Sequence, residues 1–254
     1  MRIKSKVVSN TKIGSDLWRL KLNTGKNIKA KPGQFINILI TKTYQPLLRR
    51  PFSIFNAYDE YVEIVYKVIG EGTRLLTEKK KNDVVDFIGP LGNSYIEQIK
   101  PNANLILIGG GTGAASVYFL AQYLKANKIK FTIIQGAKNK SQMLAPIEFK
   151  KINGLFATDD GSMGKKGFVS NLLNDILKED TIIFTCGPKP MFKAIKIIAD
   201  KKNMVKVFAS FEEYMGCGIG ACVSCVVEIR KGNANEYQRV CKDGTIFDLN
   251  NVVL

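Results

Sequence analysis

The chain contains no histidine. That one absence removes Rieske ligation, His-ligated haem, the zinc-protease motif and every acid-base scheme built on imidazole, so any redox or transfer chemistry must come from bound cofactors. Long apolar runs are missing as well. Stretches such as Leu105 to Ile108 and Thr181 to Phe184 are far too short to span a bilayer, and Met1 to Asn10 carries basic residues without the apolar core of a signal segment. The expected compartment is the cytoplasm. Cysteine is absent from the first 185 residues, which no disulfide framework would allow. Acidic residues are scarce beside basic ones, 22 against 38, for a net charge of +16. The lysines nevertheless fall in short groups (Lys79 to Lys81, Lys165 with Lys166, Lys201 with Lys202) and lack the interleaved aromatics of a nucleic-acid platform. A solvated surface, an acidic partner protein or a phosphate-bearing cofactor accounts for them better.

The 254 residues suffice for two ordinary domains, each with its own core. The first hundred read as short strands punctuated by turns: Leu17 to Leu22, Gln34 to Ile40 and Tyr61 to Val68 are strand-like, while Lys31-Pro32-Gly33 and Gly89-Pro90-Leu91-Gly92-Asn93 mark turns. This pattern predicts an antiparallel β-barrel over 1–100, interrupted by one helix at Thr73 to Lys81 behind Gly70-Glu71-Gly72. A polar, proline-bearing stretch at Lys100 to Asn104 marks a boundary. Beyond it, apolar runs at Leu105–Ile108, Phe131–Ile134, Leu155–Thr158, Thr181–Thr185 and Val205–Ala209 alternate with helical stretches near 114–126, 141–151, 168–178 and 188–200. Such alternation predicts a doubly wound α/β domain with a parallel sheet over 101–210. A small C-terminal domain over 211–254 follows as an appendage, with strands at Val223 to Ile229 and near Tyr237 to Val240.

Four of the five cysteines lie in that last segment, at Cys217, Cys222, Cys225 and Cys241, spaced C-x4-C-x2-C-x15-C. One tight loop can then present three thiolates to a binuclear iron-sulfur cluster while a later residue supplies the fourth. Glycines at 216, 218 and 220 suit a loop whose amides turn inward. A structural zinc site also uses four thiolates, but it usually pairs two C-x2-C units and only one is present.

Gly109-Gly110-Gly111-Thr112-Gly113-Ala114-Ala115 joins a strand to a helix and can be read as G-x-G-x-x-A, which lets the backbone approach a phosphate. The acidic residue expected at the end of the next strand is missing from Gln135-Gly136-Ala137-Lys138, and a turn that merely packs a helix tightly on a strand fits equally. Cys186-Gly187-Pro188-Lys189-Pro190-Met191 falls at the carboxyl end of a buried strand, where open α/β sheets bind ligands. Cys186 reads either as a reactive thiol or as a small core residue. Arg50-Pro51-Phe52-Ser53 combines a guanidinium, an aromatic ring and a hydroxyl, a set able to grip a flavin nucleotide, although alone it reads as an ordinary strand start.

Taken together, the barrel with Arg50 to Ser53 and Gly72-Thr73, then Gly109 to Gly113 and Cys186 to Met191, resembles the ferredoxin-reductase superfamily over nearly the whole chain. Leu48-Arg49-Arg50-Pro51-Phe52-Ser53, Gly89 to Asn93, Met215 to Cys222 and Val240-Cys241-Lys242-Asp243-Gly244 are similar to the electron-transfer subunits of NAD-dependent (type B) dihydroorotate dehydrogenases. This resemblance implies FAD at Arg50, Pro51, Phe52, Ser53, Val65, Tyr66, Lys67, Gly72 and Thr73. It implies NAD at Gly110, Gly111, Thr112, Gly113, Cys186, Gly187, Pro188 and Met191, and a 2Fe-2S cluster at Cys217, Cys222, Cys225 and Cys241. Cys186 and Glu212 become candidates beside flavin and nicotinamide. The implied partner is an FMN-containing dihydroorotate dehydrogenase catalytic subunit, in a heterotetramer of two of each, with no role for nucleic acid or membrane. Phe52 stands where many ferredoxin reductases carry tyrosine. Related diaphorase subunits of hydrogenase, sulfide dehydrogenase or transhydrogenase complexes share the same cofactor logic, and Lys138 and Lys140 leave NAD against NADP open.

Overall fold

The computed structural model describes residues 1–232 and 234–254. Alternation builds the first unit. In β1 (Arg2–Lys12), Ile3, Ser5 and Val7 are buried while Arg2, Lys4 and Lys6 face solvent, so the basic N-terminus is one face of a strand. It is followed by β2 (Leu17–Asn23), β3 (Phe35–Leu39), β4 (Arg50–Ser53), β5 (Asn56–Tyr58), β6 (Tyr61–Lys67), α1 (Glu71–Thr77) and β7 (Val84–Leu91). The strands form an antiparallel sheet in the order β4-β3-β7-β1-β2-β6-β5, curled around Leu20, Leu22, Ile36, Ile38, Ile64 and Phe87 as an open half-barrel. Helix α1 begins two residues earlier than its sequence pattern predicts and ends four earlier. Extended Gly70 takes the cap position, and the Thr73 hydroxyl accepts from the amides of Ile69 and Gly70. At the other end the Asn10 side chain donates to the carbonyls of Leu76 and Lys79, satisfying groups that a longer helix would have used itself.

The second unit contains β8 (Asn104–Gly110), α2 (Ala114–Ala126), β9 (Thr132–Ala137), α3 (Pro146–Lys150), β10 (Leu155–Thr158), the short β11 (Lys165–Lys166), α4 (Val169–Ile176), β12 (Thr181–Cys186), α5 (Lys189–Ala199) and β13 (Lys206–Ser210). Its strands pair in parallel in the order β11-β10-β9-β8-β12-β13. Helix α2 packs Val117, Leu120 and Leu124 on Leu105, Leu107 and Phe184, while α4 and α5 pack Leu173, Phe192 and Ile195 on Ile106, Ile108 and Ile183 of the opposite face. β12 is buried throughout, as a central parallel strand covered on both sides must be. The helix expected over 141–151 is instead a 3-10 turn at Lys140–Gln142 and the one-turn α3. Pro146 cannot continue a helix, and Ala145 before it adopts φ 43°.

The C-terminal segment contains the hairpin β14 (Val226–Lys231) and β15 (Ala234–Arg239) and then β16 (Ile246–Asp248). It is no appendage. β16 pairs antiparallel with β13 and becomes an edge strand of the second sheet. The Asn93 side chain donates to Ile246 O at 2.9 Å and accepts from Ile246 N at 2.8 Å, stitching the same strand to the end of the barrel. Val223 to Cys225, expected to open a strand, belong instead to the loop before β14. The barrel meets the second unit where Phe55 stacks flat on Tyr118 (4.4 Å, 4°) and where Arg19, paired with Glu63, reaches Glu148 of α3 at 2.8 Å. Among the described residues no helix is long and apolar enough to cross a membrane.

Candidate cofactor sites

A cleft of about 700 Å³ opens at the carboxyl ends of the parallel strands. Strand β8 ends in Gly110, a 3-10 turn spans Gly111–Gly113, and α2 begins at once. Gly113 allows this: a Cβ there would stand 2.5 Å from the backbone of Cys186, so only glycine lets the turn approach β12. Gly110 to Gly113 and Gly187 to Met191 lie against one another and line the cleft together, with Lys67 and Leu17 from the barrel and Glu212 also among its lining residues. Most of the residues assigned to NAD therefore share one cavity. Cys186 does not line it. The thiol is wholly buried, and burial, with the Glu212 carboxylate nearby, pushes its pKa well above the ordinary value. Glu212 is open to the cleft yet surrounded by protein on its other sides, and this crowding raises its pKa.

An acidic side chain does line the cleft, from the strand beside β9. Asp159, directly after β10, lines the cleft with Lys138, Ser141 and Gln142, and its amide donates to Ala137 O at 3.2 Å. The pair Asp159-Asp160 behind buried Ala157 and Thr158 was the available signal, but it sits one strand later than the spacing rule looks.

On the barrel, β4 lies beside β3 with Arg50 opposite Ile38 and Phe52 opposite Ile36. A Cβ on Gly72 would come within 3.3 Å of Arg50 Nε, so the guanidinium sits against the start of α1, next to Thr73. A positive side chain beside free helical amides is suited to a phosphate anion. Phe52 meets Tyr66 edge-on at 5.7 Å, and the Tyr66 hydroxyl, its pKa raised by burial, donates to Asn10 Oδ1 at 3.1 Å. Val65 turns its side chain into the core, and Pro51 and Ser53 are half-buried.

The four spaced cysteines converge as two pairs. Cys217 N donates to Cys222 Sγ at 3.3 Å, and Cys241 N donates to Cys225 Sγ at 3.4 Å. Cys217 Sγ also accepts from Ile219, Ala221 and Cys222 amides at 3.3 to 3.4 Å. Those bonds, the one from Ile219 first, bring its pKa down to about 6. Burial, then the Cys225 thiol beside it, pushes Cys241 up to about 12. The loop is clamped from behind: Arg239 donates to Gly220 O at 2.9 Å while its Nε pairs with Asp243 at 2.8 Å. Its front rests on the barrel, because buried Gly218 packs on Asn37 of β3. These thiols, N–H donors and backbone turns fit a thiolate-ligated iron centre.

An open flavin-type barrel joined to a doubly wound nucleotide sheet defines the ferredoxin-reductase fold. Family models agree segment by segment: an oxidoreductase FAD-binding domain matches residues 4–95, an oxidoreductase NAD-binding domain matches 107–196, and the iron-sulfur cluster binding domain of dihydroorotate dehydrogenase B matches 212–253. A solved structure described as the NADH-dependent reduced ferredoxin-NADP oxidoreductase, in work on flavin-based electron bifurcation, superposes with a TM-score of 0.85 at 29% identity over 98% of this chain and 89% of that one. The ferredoxin reductase of carbazole 1,9a-dioxygenase shares the fold alone, at TM-score 0.69 and 22% identity, over 82% of this chain and 68% of its own. The dihydroorotate dehydrogenase B (NAD(+)) electron transfer subunits of Shouchella clausii and Caldanaerobacter subterraneus are 34% and 35% identical over 98% and 97% of this chain, and over 96% of each relative. The chain belongs to the family of dihydroorotate dehydrogenase B electron transfer subunits. It is an NAD-linked oxidoreductase subunit, and membership implies a catalytic partner subunit. The separate zinc-module reading is thereby set aside.

Proposed function

We propose that the chain passes electrons from the FMN of a dihydroorotate-oxidising catalytic subunit through a 2Fe-2S cluster and FAD to NAD(+), serving pyrimidine biosynthesis in the cytoplasm. Nicotinamide exchanges a hydride, a cluster accepts one electron at a time, and a flavin does both. One observation carries the reading: the cysteine loop rests on Asn37, whose cross-strand neighbour is Pro51 of the Arg50–Ser53 strand. The cysteine loop and the flavin strand thus both border β3. Pairing of Cys217 with Cys222 and of Cys225 with Cys241 supports two irons. No three Cys, Asp or Glu side chains among the described residues gather around a single-ion site.

Residue roles follow from chemistry. Arg50, with the amides that open α1, holds the FAD pyrophosphate, and Phe52, Ser53 and the backbone of Val65 to Lys67 border the ring. Gly110 to Gly113 and Gly187 to Met191 take NAD, with Asp159 toward its ribose. The division 1–100, 101–210 and 211–254 is the working one for flavin, nicotinamide and cluster. Exposed Tyr214 (95%), Ile219 (54%) and Val223 (57%) surround the cysteine loop and form the surface for the FMN-bearing subunit, in a heterotetramer of two of each.

Alone, the protein should oxidise NADH with an artificial acceptor and show no dihydroorotate activity. Co-expressed with its organism's catalytic subunit, it should form a stable complex that reduces NAD(+) with dihydroorotate. Dihydroorotate-dependent reduction by the isolated chain, or association with a hydrogenase or sulfide-oxidising complex instead, would refute the reading.

A further inference from the structure

Asn37 is wholly buried on β3, and neither its amide nitrogen nor its amide oxygen has a hydrogen-bond partner among the described residues. A buried, unpaired carboxamide is expensive enough that a folded protein rarely keeps one without a use. Its orientation shows where the use lies. Ile36 and Ile38 on either side point into the barrel core, so alternation turns Asn37 outward, where Pro51 stands opposite it on β4. Over it lies the cysteine loop. A Cβ at Gly218 would fall 2.2 Å from Asn37 Nδ2, and Gly218 also adopts φ +72°, so both the turn and the amide beneath it require glycine at that position.

The loop is already built to surround negative sulfur with N–H groups, since Cys217 Sγ alone accepts three backbone amides. All of those come from the loop itself. Asn37 is a donor presented from a different domain, on the side that faces the flavin strand. We propose that the Asn37 amide donates a hydrogen bond to the sulfur of the iron-sulfur centre and raises its reduction potential. The assignment rests on the iron-sulfur reading of Cys217, Cys222, Cys225 and Cys241. Reduction adds one electron, and one negative charge, to the sulfur-bound centre. An N–H donor therefore stabilises the reduced form more than the oxidised one. Asn37 sets how readily the centre holds an electron beside the strand that borders FAD.

The test compares Asn37→Val with Asn37→Thr in the full-length chain, because the two replacements have nearly the same shape and differ in one hydroxyl donor. Iron, acid-labile sulfide and FAD are measured first, then the centre is titrated at fixed ambient potentials and its reduced fraction read by electron paramagnetic resonance. In Asn37→Val we expect the ratio of reduced to oxidised centre to fall about tenfold, which for a one-electron couple is about 59 mV. Asn37→Thr should recover at least half of that shift. If Val costs the protein its iron while Thr keeps it, the donor role is equally supported. Val and Thr variants that titrate alike, or lose iron equally, would show that Asn37 serves packing only. Wild-type protein without iron and sulfide would overturn the iron-sulfur reading itself, a result distinct from an unshifted potential in iron-loaded Asn37→Val.

Discussion

Thr245 donates its hydroxyl to the carbonyl of Gly33 at 2.7 Å, joining residues 212 positions apart in sequence. The bond is buried, and it ties the segment carrying Cys241 to the turn that precedes β3 of the barrel. Removing it leaves the Gly33 carbonyl unpaired in the interior, a loss of about 1–3 kcal/mol. Thr245→Val, which preserves shape, should lower the denaturation midpoint and speed iron release to a chelator. Iron release at the wild-type rate would mean that Arg239 and Asp243 hold the loop without help from the barrel.

Serine at Cys217, Cys222, Cys225 or Cys241 should abolish or sharply reduce iron and acid-labile sulfide, since each thiol belongs to one of the two pairs. Cys186→Ser should retain both, because that thiol is buried in the core of the second unit, apart from the cluster pairs. Metal and sulfide analysis of the five purified variants distinguishes them.

Arg50→Ala should weaken FAD retention by about 2 kcal/mol, roughly thirtyfold in dissociation constant, through loss of a charge-assisted contact to phosphate. Nicotinamide binding should survive better, as Arg50 lies outside the cleft lined by Gly110 to Gly113. Stoichiometric FAD after extensive dialysis of the variant would place the pyrophosphate elsewhere.

Asp159→Asn should narrow the preference for NADH over NADPH by about tenfold in kcat/KM. A carboxylate in that part of the cleft repels a 2′-phosphate and accepts from a ribose hydroxyl, while Lys138 beside it is left free to attract the phosphate. An unchanged ratio would remove Asp159 from the ribose end.

Asp86 is held by Arg49 at 2.6 Å and by Arg2 at 2.8 Å. Burial opposes its ionisation, but the two guanidinium groups outweigh burial and lower its pKa. A lowered folded-state pKa means the stabilisation is present above the unfolded value of about 3.9 and is lost as pH falls through the folded one. Asp86→Asn should therefore cost about 1–3 kcal/mol at pH 7, with the difference from wild type closing below about pH 4. Denaturant unfolding followed by the fluorescence of the single tryptophan, Trp18, at the two pH values provides the comparison.

The sequence by itself determined whatever is local or periodic. The strands at Leu17 to Leu22 and Tyr61 to Val68, the glycine turn before α2 and the cysteine spacing were all legible, because strand, helix start and thiolate loop are specified by residues near one another. Tertiary structure decided what comes from elsewhere in the chain. Asp159 reaches the cleft from a strand later than the rule expects, since parallel pairing lays β10 beside β9. β16 joins a sheet whose other strands lie far upstream, and no local pattern distinguishes three apolar-flanked residues at a sheet edge from a loop. Asn37 is a single polar residue in the run from Phe35 to Ile40. Its significance depends on Gly218, 181 residues away, being folded directly over its amide.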